Sequence, residues 1–327
     1  MTRYVIRRIL WALVLFVVVT FVSYVIFFLI PADPVKLFAG RQATPEDMAR
    51  AAAFYGLDQP FYVQYWKFLS RLVTHGVIGE KALGFSFVNR QWIASGVQSR
   101  APVTASLVLG GAVMWMILAV PIGIVSALRP RSLIDRGATV FVLIGISAHP
   151  VFLALIFLYI FGYKLHMFPI GSYADFFNPP PGQAGGPLQW AWHMFLPWCT
   201  FAILFAALYV RMIRASVIET MNEDYVRTAR AKGAPEWVVM RSHILRNALL
   251  PIVTMLGMDI ALGLGGAVFT ESVYSLPGLG QWAVQSLETF DLPVTMGVVV
   301  FATTAVLVVN VIVDVLYAVI DPRIKLA

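Results

Sequence analysis

The chain has 327 residues, 59% of them hydrophobic and only 13% charged, with a formal net charge of +7. That balance lies far from the soluble average and marks a membrane protein. A single cysteine, Cys199, excludes an intrachain disulfide, and no zinc-type His/Cys cluster, serine nucleophile elbow or GxxxxGK[ST] phosphate loop is present, which excludes an ATPase in this chain.

Six stretches are apolar enough to span a bilayer: 9–30, 101–128, 138–161, 194–210, 252–269 and 294–320. The fourth and fifth fall short of the ~20 residues a helix needs to cross, so their ends are soft. The first follows basic residues but is longer than a signal-peptide core and lacks a small-residue cleavage site, so it reads as an uncleaved helix. Residues 31–100 form an extracytoplasmic insertion. Within it Thr44, Pro45, Glu46 and Asp47 give an N-cap, a proline at the first helical position and acids in the first turn, with an end near Gly56. Residues 60–75 read as a second helix, amphipathic through Tyr62, Tyr65, Trp66, Leu69 and Leu72 and closed by Gly76. Such a pair can lie on the membrane surface or dock a binding protein, and both readings stand.

Further along, Pro121 and Pro150 fall inside the second and third spans, where they kink or open a helix. Residues 171–189, with Asn178-Pro-Pro-Pro-Gly182, form an irregular external loop. Gly257, Gly263, Gly265 and Gly266 suit the fifth span to close helix packing. Between the fourth and fifth spans lies a polar, basic segment. Residues 225–232 are good helix formers, with Arg227, Arg230 and Lys232 near the C-terminal end, where cations suit the dipole. Gly233 follows where positive φ is needed, and Pro235 and Glu236 fit the first positions of a second helix. A rigid helical knuckle outside a bilayer can transmit force to a soluble partner; the plainer alternative is a basic juxtamembrane loop.

Lys and Arg orient the spans. Arg3, Arg7 and Arg8 precede the first, Arg129, Arg131 and Arg136 follow the second, the knuckle follows the fourth, and Arg323 and Lys325 follow the sixth. Both termini are therefore expected in the cytoplasm. These loops explain the net charge without nucleic acid. Two carboxylates lie within spans, Asp259 and Asp314, each roughly 10–12 Å from the cytoplasmic boundary at 1.5 Å per residue. Asn310 sits one turn from Asp314 on the same face. A buried carboxylate costs about 2.5–3.5 kcal/mol on insertion scales, so each faces protein or water. Asp259 either lines a translocation path and attracts a cationic substrate end, or accepts hydrogen bonds from a neighbouring helix. His149, before Pro150, reads as a proton relay or metal site, or as a neutral, hydrogen-bonded imidazole.

The segments Tyr225-Val-Arg-Thr-Ala-Arg-Ala-Lys-Gly233 and His243-Ile-Leu-Arg-Asn-Ala-Leu-Leu-Pro251 resemble the cytoplasmic coupling loop of ABC importer permeases, in the dipeptide/oligopeptide (peptide/nickel) branch. Against the general pattern Glu-Ala-Ala-x3-Gly-x9-Ile-x-Leu-Pro, Arg227 and Thr228 stand at the Glu and first Ala, while Ala229 and Gly233 match. Leu250-Pro251 comes five residues late, as the branch implies. Pro31-Ala-Asp-Pro34, Leu57-Asp-Gln-Pro60, Leu83-Gly-Phe-Ser86, Pro277-Gly-Leu-Gly280 and Asp321-Pro-Arg323 extend the resemblance over nearly the whole chain. Lys81-Ala-Leu-Gly84 departs from the usual Gly-Asp-Leu-Gly.

The resemblance implies an all-α membrane protein with six transmembrane helices, type I ABC importer permease-like. Its parts would be residues 1–30, the insertion 31–100, and a five-helix core 101–327 carrying the coupling loop 211–251. It implies a second homologous permease, two ATP-binding subunits holding ATP and Mg, an extracytoplasmic substrate-binding protein, and no cofactor or metal in this chain. Coupling would rest on Asp224, Tyr225, Arg227, Thr228, Ala229, Arg230, Lys232, Gly233, Ala234 and Pro235, and the path on Asp259, His149, Asn310 and Asp314. The alternative is a proton-coupled carrier using Asp259, Asp314 and His149, against which stands the lack of a visible inverted repeat.

Overall fold

The computed structural model describes residues 2–29, 35, 39, 43–177, 185–264 and 267–320. The motifs at 31–34, 178–182 and 321–323, with Gly265 and Gly266, lie outside the described residues. Four described helices are long and apolar enough to cross a membrane: Val5–Phe28, Ile93–Leu128, Pro187–Met221 and Leu292–Val315. Two further spans exist only if a bent pair counts as one, Leu133–Ser147 with Pro150–Lys164 at 108° and Glu236–Ala248 with Leu250–Leu264 at 42°. The kink or opening expected at Pro150 within 138–161 is thus a sharp break. Pro150 has no N–H to donate, and the residue before a proline avoids the helical region. His149 accordingly sits at φ −76°, ψ 137° as the N-cap of the helix that follows. Pro121, by contrast, leaves its helix unbroken. The fourth span is longer than expected, and within the stretch 252–269 the described helices are Leu250–Leu264 and Val268–Val273.

The chain divides into two compact units, and the division cuts across the expected parts. The first comprises Met1–Ser106, Ala261–Ser272 and Leu276–Ala327. Here α1 (Thr2–Tyr24) packs along the C-terminal helix Leu292–Ile320. Next come α2 (Pro45–Tyr55) and α3 (Phe61–His75). Thr44 and Asp47 close a full capping box on α2, and Gly56 ends it in the left-handed region. An antiparallel ladder follows, β1 (Phe85–Ser86) on β2 (Gln91–Trp92), too short to show a period in sequence. The insertion is no appendage. Tyr55, Phe68 and Leu72 share one core with Tyr24 of α1, with Trp282, and with Val294 and Val298 of the C-terminal helix.

The second unit comprises Leu107–Ile260 and Val273–Ser275. It holds the C-terminal part of α4 (Ile93–Leu128), α5 (Leu133–Ser147), α6 (Pro150–Phe157), α7 (Pro187–Met221) and the segment that follows α7. Trp115 of α4 is fully buried against Phe201, Phe205 and Tyr209 of α7. Helix α5 approaches α7 closely, and a Cβ added at Gly145 would stand 2.5 Å from the Cβ of Ala207. Two backbones pack directly there, and neither contact atom can swing away. Gly145→Leu is expected to lower the melting temperature of the purified protein by at least several degrees, as overpacking costs about 1–3 kcal/mol. An unchanged melting temperature would mean that α5 and α7 are not in contact at Gly145.

Candidate functional site

The polar segment begins as a continuation of α7, which runs unbroken to Met221. After Asn222, Glu223 takes an extended conformation and starts α8 (Asp224–Ala231). Val226 is the residue of α8 that is fully buried, whereas Asp224, Tyr225, Arg227, Thr228, Arg230 and Lys232 are exposed and Ala229 is half-buried. The helix closes in a Schellman arrangement. Gly233 N–H donates to Arg230 O at 3.0 Å, and Ala234 N–H to Ala229 O at 3.2 Å. Gly233 itself sits at φ +77°, with open space where a side chain would project. Pro235 is the N-cap of α9 (Glu236–Ala248) and Glu236 its first residue, one position later than expected for the proline.

Side chains fix the angle of this turn. Arg230 grips Glu236 with both arms, Nε on Oε2 at 3.1 Å and Nη2 on Oε1 at 2.6 Å. Asn247 Nδ2 donates to the Tyr225 hydroxyl at 3.0 Å, and Ser216 Oγ of α7 donates to Ala248 O at 2.8 Å. The residues from Asp224 to Pro235 therefore form one helical hairpin seated on Val226, with its charged face outward. Sequence reasoning missed Trp237, which is 70% exposed. An aromatic residue set in a run of charges was the available signal.

A second arrangement that sequence reasoning missed lies on α5. Asp135 sits in its first turn, capped by Ser132 Oγ. Arg214 of α7 meets it in bidentate fashion, Nε to Oδ1 at 2.7 Å and Nη2 to Oδ2 at 3.1 Å. Ser126 Oγ and the Arg131 N–H donate to the same carboxylate. Four donor atoms thus lock the α4–α5 connection onto α7, two turns above the end of α7.

The remaining candidates stand apart from the hairpin. Asp259, on α10 (Leu250–Leu264), accepts from the Tyr209 hydroxyl of α7 at 2.6 Å. His149 is exposed and accepts through Nδ1 from Val151 N–H at 3.3 Å, capping α6. Asp314, one turn beyond Asn310 on the C-terminal helix, pairs with Arg8 Nε at 3.2 Å. Among the described residues no group of three His, Cys, Asp or Glu is placed to hold a metal.

Residues 119–326 match the family described as the binding-protein-dependent transport system inner membrane component, and residues 1–108 match its N-terminal counterpart. The chain belongs to this family. It is 37% identical over 331 residues to a Brucella suis biovar 1 protein that carries the name of a peptide permease, covering 99% of each chain. It is 32% identical over 342 residues to the dipeptide transport system permease protein of Escherichia coli K12, again covering 99% of each. A protein of the same organism named for D,D-dipeptide transport is 34% identical over 338 residues, covering 98% of this chain and 97% of the relative. The chain is thus an all-α, multi-pass permease subunit of a binding-protein-dependent ABC importer, with the type I permease fold. That membership removes the proton-coupled carrier.

The Asp135–Arg214 lock is a structural joint between α5 and α7. Arg214→Ala leaves a carboxylate facing the protein interior without its main partner. It is expected to lower the melting temperature by about 3–6 °C. Arg214→Gln combined with Asp135→Asn should recover at least half of that loss. Equal melting temperatures for wild type and Arg214→Ala would show that the lock holds nothing.

Proposed function

We propose that this chain is one of two homologous permeases in an importer of peptides or related small solutes. It would assemble with two ATP-binding subunits and an extracytoplasmic substrate-binding protein. ATP and Mg belong to the partner subunits, and this chain carries out no chemistry of its own. Both termini and the hairpin face the cytoplasm, as the placement of Arg and Lys supports. The observation that carries this reading is the hairpin from Asp224 to Pro235. It is rigid, exposed and fused to the end of a long helix, as a force-receiving element has to be. The peptide substrate rests on the names of the relatives, which cover the chain end to end.

In the mechanism, closure of the ATP-binding pair pushes on α8. Ala229 and Gly233 allow close approach of the partner, while Arg227 and Lys232 offer it charge. Arg230 stays engaged with Glu236 and keeps the turn from folding flat. The push reaches α7 through the short Asn222 connection and through Ser216 on Ala248, and the helices switch between inward-open and outward-open. Asp259, at the Tyr209 hydroxyl, would offer negative charge to the cationic end of a peptide.

Affinity purification of the tagged chain in mild detergent should bring down a second permease and ATP-binding subunits. A chain that purifies alone would remove the reading. Gly233→Asp meets open space and costs about 1–2 kcal/mol of left-handed strain, so the protein should still reach the membrane. Import is expected to fall at least tenfold while ATP hydrolysis continues; retained import would count against the hairpin as the coupling element. Asp259→Asn keeps an acceptor for Tyr209 but loses the charge. Uptake of a cationic peptide should drop about tenfold with assembly intact, and normal uptake would reduce Asp259 to a structural acceptor.

A further inference from the structure

Helix α3 shows two apolar stripes, and only one of them is used inside the protein. Phe61, Tyr65, Phe68 and Leu72, spaced i, i+4, i+7 and i+11, form the stripe that seats on α1, and Phe68 and Leu72 are 3% exposed. The next stripe, one residue on, is Tyr62, Trp66, Leu69 and Val73. Three of its members are left bare, Tyr62 at 73%, Trp66 at 69% and Val73 at 75%. In water such a row of large side chains is unfavourable at about 25 cal/mol per Å² of apolar surface.

The seat of α3 fixes its depth. Tyr65 stacks edge-on against Phe21 and donates its hydroxyl to Val17 O at 3.1 Å. Phe61 meets Phe21 and Tyr24, Phe68 meets Tyr24, and Tyr24 Oη donates to Gln64. The uncharged run of α1 starts at Ile9, after Arg7 and Arg8. At 1.5 Å per residue, Phe21 and Tyr24 stand about 18 and 22 Å from Ile9, in the distal half of a ~30 Å hydrocarbon core. Helix α3 therefore crosses α1 within the distal leaflet, towards its boundary with water. Its outward aromatic residues, Tyr and Trp, are the types that favour that boundary. Lys67, also exposed, carries a stem long enough to reach the headgroups. Apolar side chains of α1 at the same level, among them Val18 and Val22, are exposed as well.

We propose that α3 is an interfacial helix whose Tyr62–Trp66–Val73 stripe lies in the lipid of the distal leaflet and pins the end of α1 at that level. It forms a lipid-contacting surface and not a docking face for a soluble binding protein. The proposal rests on α1 being a membrane span, and does not depend on the partner subunits.

The test uses cysteine variants of the full chain at Tyr62, Trp66 and Val73, with Lys67→Cys as the polar control and Cys199 replaced by alanine. Each is spin-labelled and placed in nanodiscs of phosphatidylethanolamine and phosphatidylglycerol, with cysteine-free partner subunits where these co-purify. Collisions with oxygen, which enters lipid, should exceed those with a water-soluble nickel chelate severalfold at the three stripe positions, and the order should reverse at Lys67→Cys. Preference for nickel at the stripe would place it in water and overturn the proposal. Suppression of both colliders would mean that a protein covers it, with the same consequence. Val73→Cys is conservative enough to report even if an aromatic replacement fails to fold. The same readout on the chain purified alone separates failure of this proposal from failure of the importer assembly.

Discussion

Hydrocarbon offers no hydrogen-bond partner, so a polar group carried into the bilayer must find one within the protein. That constraint accounts for the polar contacts within the spans. Thr20 returns its hydroxyl to Phe16 O, and Thr303 and Thr304 do the same one turn back on the C-terminal helix. Asp314 takes Arg8, and Asp259 takes the Tyr209 hydroxyl. His149 accepts a backbone N–H where Pro150 breaks the helix. Each charge or ring that looks functional in sequence thus already has a local duty, and a role in the path has to be carried in addition to it.

The hairpin from Asp224 to Pro235 follows the opposite rule. Its charges are exposed, and the Arg230–Glu236 pair, being open to solvent, adds little to stability. What the pair does is hold an angle. A helix as long as α7 extends about 50 Å at 1.5 Å per residue, so a small displacement at its end moves side chains deep in the second unit. The Arg214 joint to Asp135 lies on the way, and Gly145 against Ala207 lies further along the same helix pair. Close-packed backbones and a bidentate ion pair transmit displacement without absorbing it.

Local signals in the sequence were enough for the hairpin and the insertion helices. Thr44 with Asp47, Gly56 and Gly233 each state a cap or a turn within a few residues, and the structure places those features where they were read. The break at Pro150 was legible, but its 108° angle was not, because proline dictates a fault and packing decides its direction. The Asp135–Arg214 lock joins residues far apart in sequence, and no local pattern announces such a pair. The same holds for the core that binds Tyr55 and Phe68 to Trp282 and Val298, which made the insertion look separate. The extension of α7 to Met221 was hidden for another reason. Polar residues from Arg211 onward end a hydrophobic run without ending a helix, since hydropathy marks the membrane and not the hydrogen-bond ladder.

The Pro-Gly-Leu-Gly run at 277–280, weak as a motif on its own, gains a physical reason from the carboxylate beside it. Glu271 is fully buried, and its oxygens accept from Thr104 Oγ1 at 2.7 Å and from Gln281 N–H at 2.9 Å. Thr104 in turn accepts from Leu279 N–H at 2.9 Å. Together they satisfy the open N–H groups at the start of the helix Leu279–Glu288. A Cβ at Gly278 would collide with that carboxylate, so the glycine is what lets the acid reach the helix end. Asp291, just before the C-terminal helix, is also buried and ties that point to the β1 region, accepting at Oδ2 from Ser86 Oγ at 2.5 Å and Asn89 Nδ2 at 3.0 Å. Burial pushes both carboxyls above their ordinary range, and the converging donors pull them back. The stretch between α10 and the C-terminal helix is therefore held by two buried acids, one of them capping a helix, and its departure from simple helix is a built turn, with glycines at 278 and 280 where the Glu271 carboxylate comes close.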